Sequence, residues 1–189
     1  MVVIGERPTP VSWDVAAFEA SYTELFEPVL RYTTRRLGRT AGEDVCAQAF
    51  TEAWKHRDRF DPTRGSVRAW VFGIATNLIR EHYRSEQRRL RAWAALSARS
   101  DSVDVAEVAA DRVDAARRYA AVAEALADLR DVDRELLWLR ATAGLTYAEL
   151  AQVCGIEVGT VRSRLSRAKR RVQDRINETA ATEAHLEHK

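Results

Sequence analysis

Proline and glycine are scarce, with four and eight residues in a chain of 189. A turn-rich β architecture needs more of both, so the scarcity points away from sandwiches and barrels. Cysteine is nearly absent. Cys46 and Cys154 stand far apart, with no second Cys or His at ligand spacing, which argues against a zinc site. Each reads as a small buried apolar side chain rather than a redox switch. No apolar run approaches the ~20 residues that a membrane-spanning helix requires, so no membrane insertion is expected. The N-terminus has no Lys/Arg head followed by an apolar run, so no signal peptide is expected and a cytoplasmic location follows. No glycine-rich phosphate loop occurs. The acids are dispersed or gathered in one stretch, not clustered to hold metal ions for nuclease chemistry. His56, His82, His185 and His188 form no ligand pattern apart from the last two. The expectation is therefore no enzyme, no metal and no cofactor.

What the sequence does contain is helix-forming material. Hydrophobic residues make up 46% and charged residues 31%, which suits a soluble globular chain, and long Ala/Leu/Arg/Glu stretches make it all-α. The net charge of +2 says little, because the charge is segregated. Arg80–Arg99 holds six Arg against two Glu, and Glu157–Arg175 holds seven basic residues against two acids. Between them, Asp101–Asp114 holds five acids against one Arg. The chain reads as two small helical domains joined by a flexible acidic linker: domain one at 14–95, linker at 96–114, domain two at 115–176, and a tail at 177–189.

Periodicity places the elements. Residues 1–13 read as a loose arm. A helix begins at Phe18, with Tyr22, Leu25, Phe26, Val29, Leu30 and Leu37 at helical spacing, and Pro28 should kink or divide it. A second helix spans about Gly42–Arg57 over Val45, Ala49, Phe50, Ala53 and Trp54. Phe60–Ser66 is a loop punctuated by Pro62 and Gly65. A third helix spans about Val67–Arg91 over Trp70, Val71, Ile74, Ala75 and Leu78. Further helices follow at about Ala115–Leu129 and Asp131–Thr142, and the chain turns at Gly144.

The next segment carries the first functional signal. Thr146-Tyr147-Ala148-Glu149 has the form of a capping box and starts a short helix ending near Cys154. Gly155 supplies a turn. Val161, Leu165, Ala168 and Val172 then form the inner stripe of a second helix. That order is a helix-turn-helix. Outside the stripe lie Thr160, Arg162, Ser163, Arg164, Ser166, Arg167, Lys169, Arg170 and Arg171. Arginine forks onto a guanine edge, and Ser or Thr bonds bases or phosphates. The N-terminal part of such a helix enters the major groove. Arg162, Ser163, Arg164 and Arg167 are therefore expected at or near base edges, and Lys169, Arg170 and Arg171 at phosphates. The competing reading is a solvated, Arg-rich face on an ordinary bundle.

These residues also carry a family likeness. Gly144–Ala151 and Val158–Ala168 resemble the final domain of the extracytoplasmic-function (ECF) sigma factors of bacterial RNA polymerase. Glu43-Asp44-Val45, Phe50 and Ala53-Trp54 are similar to that family's polymerase-binding helix. Arg64-Gly65-Ser66, Arg68-Ala69-Trp70 and Ile74–Leu78 are similar to its promoter-melting segment. The likeness holds in order over residues 18–175. It implies an N-terminal domain for the β′ clamp helices and the −10 element, and a C-terminal domain for the −35 duplex and the β flap. It also implies promoter DNA and core RNA polymerase as partners, with an anti-sigma protein as inhibitor. The chain departs from the family's usual pattern at Ala47-Gln48, and at Glu157, which puts an acid near the DNA face.

The residues complement that implication. Gripping an opened strand calls for basic groups, a pocket for an unstacked base and an aromatic or amide to hold it. The loop Phe60–Ser66 is the candidate pocket, with Phe60 as a stacking ring. Asn77 can read a base edge, Arg68, Arg80 and Arg84 can hold the backbone, and Arg64 in the loop is a further −10 contact. Trp70 has a core register first and a stacking role second. Glu43, Asp44 and Glu52 are candidate polymerase contacts, against a plain reading as helix-surface charge. Glu43 and Asp44 also suit a helix N-terminus. A stand-alone dimeric helix-turn-helix regulator explains the C-terminal half but leaves Phe60–Asn77 without a purpose.

Overall fold

The computed structural model describes residues 13–96 and 122–186, and every regular element among them is helical. Helix α1 is Val15–Leu37. Its start is fixed by Asp14, whose carboxylate accepts from the Ala17 amide at 2.9 Å. Of the kink or division expected at Pro28, division does not occur, because α1 runs through it as one helix. Leu25, Val29 and Tyr32 are buried along the same face. Their packing offsets the ~3 kcal/mol that an interior proline costs.

Helix α2, Arg39–Lys55, follows after the single residue Gly38, so the chain folds straight back on itself. It begins three residues earlier than the periodicity suggests. Glu43 and Asp44 therefore lie past its first turn, which holds no acid. Gly42 sits where the two helices touch. A Cβ there would lie 2.4 Å from the Thr34 Cα, so only glycine lets the backbones approach this closely.

A 3₁₀ turn, Arg57–Arg59, leads into the loop before α3, Val67–Leu96. Residues 97–121, with nearly all of the expected acidic linker, lie outside the described residues. The chain is helical again at 122–127. Helix α4 is Asp131–Trp138 and widens into a π-helical turn, Leu139–Ala143, that ends at Gly144 in the left-handed conformation (φ 65°). Helix α5 is Tyr147–Cys154. Helix α6, Val158–Leu186, continues well beyond the tail boundary expected at 177.

The two domains share one core. Leu25, Val29, Tyr32, Phe50, Val71, Phe72 and Ile79 from the first are continuous with Leu136, Leu139, Leu145, Leu150, Val161 and Leu165 from the second. Helix α4 is sandwiched, with α6 on one side and the N-terminal domain on the other. Trp13, assigned to a loose arm by its position, is buried instead. Its ring packs on Phe18, Phe60 and Trp70, and its indole N–H donates to the Ser21 hydroxyl at 3.2 Å.

Candidate nucleic-acid interface

The helix-turn-helix is built from local chemistry. The Thr146 hydroxyl accepts from the Glu149 amide at 3.2 Å, and Glu149 accepts from the Thr146 amide at 2.8 Å. The reciprocal pair satisfies two donors that a helix start otherwise leaves open. Burial alone would raise the Glu149 carboxyl. The Thr146 bonds, the Ser66 hydroxyl and the Arg68 charge outweigh it and hold the group below the usual carboxylate range. At the other end, Gly155 takes φ 64°, and the Ile156 amide reaches back to the Ala151 carbonyl at 3.0 Å. That turn leaves only Gly155, Ile156 and Glu157 between α5 and α6.

On α6, Val161, Leu165 and Ala168 are buried, and Arg162, Ser163, Arg167, Lys169, Arg170 and Arg171 are exposed. Thr160 is half-buried at the start of the helix. Arg162 lies over the Tyr147 ring, 5.8 Å from its centroid. Arg167 donates to the Ser163 carbonyl at 3.2 Å. Arg164 departs from the expected face. It lies three residues after Val161 and turns inward, where its guanidinium bonds the buried carboxylate of Asp133 at 3.1 Å. The second oxygen of Asp133 meets Arg130 at 3.0 Å. Arg164 thus ties α6 to α4 and does not stand on the open face.

The N-terminal candidates divide in the same way. In the loop, Asp61 accepts from the Thr63 amide at 2.9 Å, and the Arg64 amide closes a turn onto the Asp61 carbonyl with Pro62 at its corner. Bonds from the Thr63 hydroxyl and amide hold the Asp61 carboxyl low. Phe60 is half-buried against Trp13 and Trp70, which makes all three rings one packed cluster. Ser66 caps α3 by accepting from the Ala69 amide at 3.1 Å. Arg64, Asn77 and Arg84 are exposed. The Asn77 amide oxygen lies 3.5 Å from Arg80. Arg68 is half-buried and donates to the Ala143 carbonyl at the end of the π turn.

Sequence reading missed the acid that joins the domains. Glu135, on α4, is 4% exposed. Its Oε1 accepts from the Tyr32 hydroxyl and from Arg36 at 2.9 Å, and its Oε2 lies 4.0 Å from Arg80. Burial first, then the Glu135 charge, pushes the Tyr32 hydroxyl well above its usual value, so it stays protonated and donates. With that proton committed, Thr76 is the donor in its 3.0 Å bond to the Tyr32 oxygen. The sequence separations of 99 and 103 residues explain why no local pattern announced the contact.

The acids of α2 are mostly solvated. Glu43 pairs with Arg39 at 3.0 Å, and Asp44 is exposed. Glu52 pairs with Lys55 at 2.8 Å and His56 at 3.4 Å, and the Lys55 bond leads in lowering its carboxyl. Burial pushes the Cys46 and Cys154 thiols up to about 11, with help from Glu27 and Glu135 respectively, so neither is a thiolate at neutral pH. Among the described residues, no cluster of His, Cys, Asp or Glu could hold a metal, and no helix is long and apolar enough to cross a membrane.

Comparison with known proteins covers both halves. Residues 22–89 match the family described as sigma-70 region 2, and residues 119–172 match sigma-70, region 4. The ECF RNA polymerase sigma factor SigL of Mycobacterium tuberculosis is 31% identical over 170 residues, covering 89% of this chain and 94% of that protein. SigC of the same species is 32% identical over 156 residues, covering 81% and 80%. SigK of Mycobacterium bovis is 30% identical over 167 residues, covering 85% and 86%. Two solved structures share the fold. One is the sigma factor RpoE with the anti-sigma factor NepR from Bartonella quintana (TM-score 0.61, 22% identity, covering 86% of this chain and 98% of that one). The other is CnrH with the cytosolic domain of CnrY (TM-score 0.60, 26% identity, covering 87% and 90%).

Proposed function

The chain belongs to the ECF sigma factors of bacterial RNA polymerase, and we propose that its two helical domains divide promoter recognition between named residues. Its role is to bring core polymerase to specific promoters. Sigma factors are initiation factors without catalysis of their own, and the polymerase performs the chemistry.

In this reading α6 lies in the major groove of the −35 element. Arg162, Ser163 and Arg167 stand at base edges, Thr160 sits at the groove entrance, and Lys169, Arg170 and Arg171 hold phosphates. The observation that carries it is the exposed row opposite the buried Val161-Leu165-Ala168 stripe, presented by a capped helix and a glycine turn. Arg164 is left out of the base readers and serves as the strut to Asp133.

The α3 side serves the opened −10 strand. Asn77 reads a base edge, while Arg64, Arg68, Arg80 and Arg84 hold the backbone. Phe60 acts from within its aromatic cluster, fixing the loop and offering one ring edge to a flipped base. Glu43, Asp44 and Glu52 on α2 offer acids to the β′ clamp helices, and the second domain also meets the β flap. The solved relatives RpoE and CnrH are each seen with a protein partner, NepR being named an anti-sigma factor. An anti-sigma protein is accordingly proposed for this chain.

The −10 assignment is tested with Asn77→Ala in the reconstituted holoenzyme. Core polymerase binding should be unchanged, while strand opening or −10 preference weakens by about 1–3 kcal/mol, the worth of a good amide–adenine pair. Permanganate footprinting and filter retention read the two effects separately. Loss of polymerase binding would make Asn77 structural.

A further inference from the structure

The contact between the domains places a carboxylate where an anion site already exists. Tyr32 and Arg36 on α1, and Arg80 on α3, all belong to the N-terminal domain, whereas Glu135 comes from α4. Without Glu135 this cradle is one hydroxyl donor and two guanidinium groups with no acid. Arg35 and Arg84 line the same cleft, of about 480 Å³, and neither makes an ion pair among the described residues. A hydroxyl and guanidinium forks converging on one acceptor are the donor set that binds phosphate as readily as carboxylate.

The surroundings favour a strand over a single anion. Arg80, Arg84 and Arg88 recur every fourth residue along α3, a rise of ~6 Å each, which suits a repeating charge. Asn77, one turn before Arg80, is exposed beside it. The same packing engages groups in the preceding loop and at the start of α3. Ser66 donates to Glu149 at 3.1 Å, and Gly65 lies against the Gln152 side chain, where any Cβ would clash. Arg68 bonds Ala143 while its buried Nε has no hydrogen-bond partner. A buried donor left unmet is a cost of this arrangement.

We propose that the Tyr32–Arg36–Arg80 cradle is a phosphate site for a nucleic-acid strand, and that Glu135 fills it as a carboxylate stand-in while the two domains are packed together. The strand and the C-terminal domain then compete for one site. The free chain binds nucleic acid only in proportion to its open fraction. The inference rests on the sigma-factor reading for the kind of ligand, but its test needs neither polymerase nor promoter.

The test uses the full chain and a fluorescein-labelled single-stranded 20-mer of mixed sequence, followed by anisotropy and small-angle scattering. Glu135→Gln, which keeps the shape and removes the charge, should expand the particle and tighten oligonucleotide binding roughly tenfold or more. Adding Arg36→Ala should reverse most of that gain. A compact Glu135→Gln with unchanged binding would overturn the proposal, as would expansion without tighter binding or a gain that survives Arg36→Ala. Should Glu135→Gln not fold, the unsubstituted chain decides. Saturating oligonucleotide should expand it, and inorganic phosphate at equal phosphate concentration should not. Binding without expansion, or equal expansion by inorganic phosphate, would overturn the strand site. Failure of the Asn77 experiment leaves these outcomes independent, because they depend on no base or promoter sequence.

Discussion

Gly42→Ala should lower stability by about 3 kcal/mol, the upper end of what overpacking costs, because the clash is with backbone. The new Cβ would meet the Thr34 Cα at 2.4 Å, the Thr34 nitrogen at 2.6 Å and the Thr33 carbonyl carbon at 2.9 Å. No rotamer relieves it. The helices must move apart, and Thr33, Val45, Cys46 and Ala49, all buried around this contact, lose their packing. A fall in Tm of roughly 6–12 °C is expected for a chain of this size. Since α2 also carries Glu43, Asp44 and Glu52, core polymerase binding should weaken alongside. An unchanged Tm would mean that α1 and α2 are not packed this closely.

The second large effect separates α6 into its two faces. Arg162→Ala together with Arg167→Ala removes two exposed guanidiniums whose contacts within the protein are a ring face and one backbone carbonyl. Stability should change by less than ~0.5 kcal/mol. Affinity for −35 duplex should fall by roughly a hundredfold, since each base-reading arginine contributes about 1–3 kcal/mol. Arg164→Ala should behave in the opposite way. Removing the partner of a buried carboxylate should lower stability by about 2 kcal/mol and leave promoter preference intact at a temperature where the variant folds. Calorimetry and duplex-binding titrations read both. Altered promoter choice with a native Tm would return Arg164 to the DNA face.

Much of this was legible because it is local. A capping box, a turn glycine and a stripe at 161, 165, 168 and 172 need only a short stretch of context, and the structure reproduces them, burying the first three of the stripe and half-burying Val172. The all-helical architecture followed from composition in the same way. What escaped depended on distant partners. Pro28 looked able to divide α1 because the buried face that carries the helix through it cannot be weighed from one helix. Trp13 looked like part of an arm because its partners, Phe60 and Trp70, lie more than forty residues on. Nothing local singled out Asp133 or Glu135, since no sequence neighbour reveals that α4 is enclosed on both sides. Arg164 was grouped with the exposed row because a periodic stripe has no sharp edge, and its buried partner is 31 residues away. The candidate site was therefore readable as a list of chemically suitable groups. Which of those groups the fold leaves open, and which it uses to hold the domains together, was not.

The most direct test of the central claim is run-off transcription on a genomic DNA library with purified core polymerase, with and without this chain. Initiation is expected at a discrete set of sites only when the chain is present, with a shared −35/−10 pair upstream of each start and co-elution of chain and core. A chain that bound a palindromic duplex tightly by itself, yet neither associated with core polymerase nor directed initiation, would contradict it.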